Sequence, residues 1–140
     1  MISFNRSQLI GAEFIDDETV RFNGNQIDHI YNMEINMDVR IADGVILKIE
    51  GEMKRYTNFV CPRAVPVLQT AVGMSLRQEG WDKAIMKEIG RKGCEHFAEI
   101  VIECGRCFDQ ALKSRDLYLA TCHNPGLDQE AFLESWQPQS

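Results

Sequence analysis

The chain has 140 residues, 44% of them apolar and 26% charged, and carries a formal net charge of −6. That length suits one domain whose core needs no disulfide staples. The acidic balance, with no basic stripe, excludes an ordinary nucleic-acid reader and argues against an anionic membrane surface, and no apolar run reaches the ~18 residues of a transmembrane helix.

The opening residues Met1–Arg6 lack the charged-then-apolar layout of a signal peptide. Five cysteines is an odd count. Without a secretion signal, reduced thiols or metal ligands in the cytoplasm fit better than a disulfide framework. Residues 8–16 alternate, with Gln8, Ile10, Ala12 and Phe14 on one side, and predict a strand. Residues 16–30 are polar, with Asp16-Asp17-Glu18 and Asn23-Gly24-Asn25, and predict a connection holding a short strand at Thr19–Phe22.

The clearest periodicity follows. Tyr31, Met33, Ile35, Met37, Val39 and Ile41 are apolar, and the residues between them are all polar. Period two over this stretch means a strand with one buried and one wet face. Asp43-Gly44 predicts a two-residue hairpin of type I′, because both residues tolerate positive φ. Val45, Leu47, Ile49 and Met53 should continue the buried face, with Gly51 marking a bulge. The sheet is therefore antiparallel, with one face left for helices.

Beyond Met53 the period changes. Pro62–Val72 predicts a helix with Pro62 at its start and Gly73 as its stop. Trp81–Ile89 predicts a short helix with Ala84, Ile85 and Ile89 inward. Gly90 to Gly93 breaks the chain, and a long helix is expected from Cys94 to about Leu119. At 100° per residue, Cys94, Phe97, Val101, Cys104, Phe108 and Leu112 form one stripe, and His96, Ile100 and Cys107 an adjacent one. Asn124-Pro125-Gly126 ends this region. Leu127–Trp136 predicts a last short helix, and Gln137–Ser140 a frayed tail. The whole predicts an α+β fold. Residues 1–140 form one domain, with 121–140 as an extended C-terminal segment. An antiparallel meander of three or four strands carries helices on one face.

Candidate chemistry gathers at the start of the long helix. Cys94 in a first helical turn meets unsatisfied N–H groups and the positive end of the macrodipole, and Arg91 and Lys92 add cationic charge. These favour thiolate, the form that binds metal or attacks an electrophile. Cys94 and His96 point about 160° apart on an ideal helix, so they converge only if Cys94 precedes the regular helix. Cys61, before Pro62, repeats the geometry. Two thiolates and an imidazole would give three ligands and one open position. Cys104-Gly105-Arg106-Cys107 falls mid-helix, where backbone amides are already used, and reads as packing. Cysteine is also among the most buried residue types, so an apolar-stripe position explains Cys94 equally simply.

The combination of Ile27-Asp28-His29, the alternating strand, Asp43-Gly44, Cys61-Pro62, Gly80-Trp81 and Gly93-Cys94-Glu95-His96-Phe97 resembles a bacterial domain-of-unknown-function family, number 2889, over roughly residues 27–111. His29, Cys61, Cys94 and His96 fall on positions that family's pattern marks; Cys104, Cys107 and Cys122 fall outside it. A more distant similarity is to SufE- and NifU-type iron–sulfur proteins, whose scaffold members place cysteines where Cys61 and Cys94 stand, but whose earlier cysteine has no counterpart here. The resulting expectation is a soluble, cytoplasmic metal-binding or iron–sulfur-related protein. Cys61, Cys94 and His96 would be ligands, His29 a fourth or second-sphere group, and zinc, iron or an iron–sulfur cluster the cofactor. The alternatives are a thiol enzyme with Cys94 as nucleophile and His96 or His29 as base, or an interaction module with core cysteines that forms a homodimer or binds a protein partner.

Overall fold

The computed structural model describes residues 3–138; Met1 and Ile2, and the last two residues of the expected frayed tail, lie outside the described residues. Four strands, β1 (Arg6–Phe14), β2 (Thr19–Asp28), β3 (Asn32–Arg40) and β4 (Ile46–Arg55), form one antiparallel sheet in the order β1-β2-β3-β4. Two 3₁₀ segments follow at Cys61–Ala64 and Pro66–Ala71. Helix α1 (Trp81–Ile85) runs into a π-helical turn at Met86–Arg91. Helices α2 (Glu95–Arg106), α3 (Phe108–His123) and α4 (Gln129–Ser135) complete the chain. This is the α+β meander expected, with four strands.

The period-two run of β3 works as its chemistry dictates. Met33, Ile35, Met37 and Val39 are fully buried. The opposite face is wet and laced with polar pairs: the Asn23 amide donates to Glu34 at 2.7 Å and Asn36 at 3.0 Å, and Arg21 meets Asp38 at 2.7 Å. Helix α2 lies over the apolar face, burying Phe97, Ile100, Val101 and Cys104 against it. Each such large apolar side chain contributes roughly 1.5–3 kcal/mol by leaving water.

Several local expectations are corrected. Strand β2 extends to Asp28 instead of ending at Phe22, through the turn-like Asn23-Gly24-Asn25. A Cβ on Gly24 would stand 2.5 Å from Ile100 Cγ2 and 2.9 Å from Cys104 Sγ, so this glycine lets α2 approach the sheet. The β3–β4 connection is not a two-residue type I′ turn. Gly44 takes φ +71°, but no non-glycine residue has positive φ among the described residues, and Arg40 pairs with Val45 across a longer loop. The Asp43 side chain instead accepts from the Val45 amide at 3.1 Å. A register irregularity at Asp38/Val39 shifts β4, so Ile46, Ile49 and Met53 face inward and Leu47 is exposed. Gly51 makes no bulge; it pairs with Ile35, and a Cβ there would meet Leu68 Cδ1 at 2.4 Å.

Pro62–Val72 is two 3₁₀ segments and not one α-helix. Pro66 has no N–H to donate back to Pro62, whose carbonyl accepts from Val65 at 3.1 Å instead. The short helix predicted at Trp81–Ile89 is α-helical only to Ile85 before the π turn, and Ala84 is only half-buried within it. The long helix divides at Cys107. Cys94 precedes α2 in extended conformation, with φ −139° and ψ 120°, as its N-cap.

Candidate functional site

Cys61 and Cys94 come from separate elements and line one cleft, of about 330 Å³. Cys61 opens the first 3₁₀ segment, and Cys94 caps α2. Tyr31, at the β2–β3 turn, and Met53, near the end of β4, line the same cleft. Met53 and Val60 supply apolar wall; Arg63 and Lys92 supply positive charge. Among the described residues, no carboxylate lines it.

The turn that presents Tyr31 is held from both sides. The Asp28 carboxylate accepts from the amides of Ile30 at 2.8 Å and Tyr31 at 2.6 Å, and pairs with Arg6 at 3.3 Å. Burial pushes Asp28 up, but the Tyr31 and Ile30 amides and the Arg6 guanidinium outweigh it, leaving the carboxyl below its ordinary value. From the other side Arg55 donates to the Asp28 carbonyl and, at 3.1 Å, to that of Ile30.

The two thiols differ. The Thr57 hydroxyl lies 3.5 Å from Cys61 Sγ. That contact first, and the nearby Asn58 backbone second, hold the Cys61 thiol below its ordinary range. For Cys94 burial dominates and pushes the thiol up. The Phe97 and His96 amides favour its thiolate, but not enough, and the charges of Cys61 and Glu99 oppose it. Activation by the helix N-terminus, expected for Cys94, is therefore outweighed by desolvation. Cys61 is the thiol better placed to ionise.

His96 packs against Tyr31, ring centroids 4.6 Å apart and the rings tilted by 44°, and is not among the residues lining the cleft. Its Nδ1 is buried without a hydrogen-bond partner; Glu99 Oε2, at 3.9 Å, is out of reach. His29 is exposed on the β2–β3 turn, edge-on to Phe4 at 5.4 Å. Among the described residues, no three His, Cys, Asp or Glu side chains gather into a group able to hold a metal ion. The structure thus brings Cys61 and Cys94 together but does not close the ligand set with His96 and His29. Cys104 is fully buried, and burial pushes its thiol up to about 12. Cys107 is half-buried at the α2–α3 junction, and Cys122 is exposed near the end of α3.

Residue reasoning missed Tyr31, Thr57 and Arg63. By pattern Tyr31 is only the first apolar position of a strand, and Thr57 lies past Met53, where the period changes and no element is predicted. One signal was available for Thr57: it precedes Cys61 by four residues, close enough for the hydroxyl to reach the sulfur if the chain turns.

This geometry sits inside a recognisable unit. The chain belongs to a protein family of unknown function, DUF2889, whose model matches residues 6–110. The match takes in the sheet, the cleft and α2, starts earlier than residue 27, and stops within the first turn of α3. Comparison with curated proteins and with solved structures found no match.

Proposed function

We propose that the Cys61–Cys94 cleft is a thiol-dependent reaction centre, with Cys61 the attacking thiolate and Cys94 a neutral thiol across from it. One observation carries this reading: two cysteines from different elements share a walled cleft, and one of them has a hydroxyl beside its sulfur. A thiolate there attacks an electrophilic carbon or sulfur and takes the substrate's fragment into a covalent bond, releasing its leaving group. Tyr31 and the apolar wall limit the approach.

Alkylation with iodoacetamide at pH 7, followed by mass mapping of each cysteine, tests it. Cys61 should react faster than a free cysteine derivative and well ahead of Cys94, Cys104 and Cys107. A Cys61 no faster than the free thiol would sink the reading.

One observation favours a second reading, metal binding: the unpartnered Nδ1 of His96 beside Tyr31. Two sulfurs and an imidazole suit zinc, iron or an iron–sulfur cluster. His96 would have to leave its contact with Tyr31 to join the two sulfurs, and His29 or an outside group would complete the set. Elemental analysis of protein purified anaerobically without a metal-affinity tag decides this. Near-stoichiometric zinc or iron, lost in Cys61→Ser and in Cys94→Ser, supports it; no metal in the unmodified chain ends it.

A further inference from the structure

We propose that the Cys61–Cys94 cleft takes a small anionic electrophile, recognised through Arg63 and Lys92; this deepens, and rests on, the reading of Cys61 as an attacking thiolate. The chain as a whole is acidic, at −6, yet among the described residues the cleft is lined by two cations and no anion. Lys92 shares its charge with Glu88 at 2.6 Å. Arg63 forms no ion pair among the described residues, so its guanidinium is the principal free charge at the cleft. Such an arrangement works against a substrate's neutral or cationic competitors as much as for the anion. Asn58 and Tyr31 add polar residues to the lining, and Met53, Val60 and Ala64 add apolar ones. The volume, about 330 Å³, is that of a small-molecule site.

The two cations that line the cleft with Cys61 set up a local field that draws in an incoming anion. Unit charges about 6 Å apart in water change a rate about threefold, and more where solvent is partly excluded. The reaction with haloacetates reads this directly. The Cys61 sulfur forms a bond to carbon, the carbon–iodine bond breaks, and iodide leaves with the electron pair. Only the reagent's charge differs between iodoacetate and iodoacetamide.

The experiment measures both rate constants at Cys61 by mass mapping of the full chain. Their ratio is compared with that of a neutral cysteine derivative under the same conditions. The expected result is a ratio about three- to tenfold higher at Cys61 in low salt, falling towards the free-thiol value in high salt. Arg63→Gln should remove most of the preference, and Lys92→Gln a smaller part, with the iodoacetamide rate as the control for altered access. A ratio at or below that of the free thiol, or one unchanged by Arg63→Gln in a variant with a native melting profile, overturns the proposal. The ratio is measurable even if Cys61 reacts no faster than a free thiol. Failure of the thiolate reading, seen in the iodoacetamide rate alone, is therefore distinguishable from failure of the anion preference.

Discussion

At the scale of single residues, glycine, aspartate and cysteine positions carry the sharpest consequences. Gly24 stands where any side chain would collide with Ile100 and Cys104. Gly24→Ala should therefore cost about 1–3 kcal/mol, as overpacked cores do. A lowered denaturant midpoint with an unchanged slope would be the signature; an unshifted midpoint would mean that α2 moves away freely. Asp28 belongs to a second class. Its side chain is 2% exposed and accepts from two amides while pairing with Arg6. Its folded-state value lies below the ordinary one, so its contribution is present above about pH 4 and is lost as pH falls through the folded-state value. Asp28→Ala should destabilise by about 1–3 kcal/mol at neutral pH, with the difference from the unmodified chain shrinking in acid. Denaturant melts across that range would show the convergence, and a constant difference would contradict it. Cys104 is a third case. Its thiol is buried and pushed up to about 12, so it should resist alkylation until the chain unfolds, in contrast to Cys61.

At the scale of elements, the breaks matter more than the regular stretches. The proposed site exists because two runs stop being α-helix. Pro66, which cannot donate back to Pro62, breaks the segment after β4 into two 3₁₀ turns, and Cys61 opens the first of them and lines the cleft. Cys94 stays extended before α2, so it faces the cleft while His96 goes to Tyr31. Helix periodicity alone had placed Cys94 on the apolar stripe with Phe97 and Phe108. The stripe is real for Phe97, Val101, Cys104, Phe108 and Leu112, all buried. Cys94 also packs partly against the core, but as an N-cap in extended conformation it does not share the helical φ/ψ on which the 100° step depends. The α2–α3 break was not legible, since Cys107 carries neither of the strong helix-breaking types. Gly105, within the Cys104–Cys107 motif, is explained by packing instead: a Cβ there would stand 2.4 Å from Trp81 Cη2.

At the scale of the whole molecule, the sheet, its 3₁₀ cover and α2 form the packed unit, and the far end of the chain touches it mainly through Trp136. Helix α3 buries only Phe108 and Leu112, at its start, and α4 buries none. The α4 contact includes Trp136 Nε1 donating to Asp116 at 2.8 Å. Removing residues 125–140 should therefore lower stability by about 1–3 kcal/mol, mainly through the half-buried Trp136 that packs on the core, and leave Cys61 reactivity unchanged. Thermal melts and the alkylation rate of the shortened chain would check this. A collapse of either would mean that the α3–α4 hairpin supports the cleft. The family match, ending at residue 110, has the same boundary as the packed unit to within a few residues.

Sequence by itself determined what depends on short-range pattern. The β3 alternation specified a one-sided antiparallel sheet, the α2 stripe specified which helix face is buried, and Cys61-Pro62 with Gly93-Cys94 marked the two positions that meet. These were legible because side-chain period and proline or glycine chemistry act within a few residues. Tertiary structure decided the rest. It kept Gly24 in a strand, because α2 packs on it. It turned Leu47 outward, through a register irregularity set by pairing with β3. It made Cys61 the thiol that ionises more readily and Cys94 the desolvated one, since Thr57 beside one sulfur and burial around the other are through-space effects. It gathered Arg63 and Lys92 into a positive cleft on an acidic chain. No periodicity within a single segment encodes these, because each depends on which distant residues arrive beside the one in question.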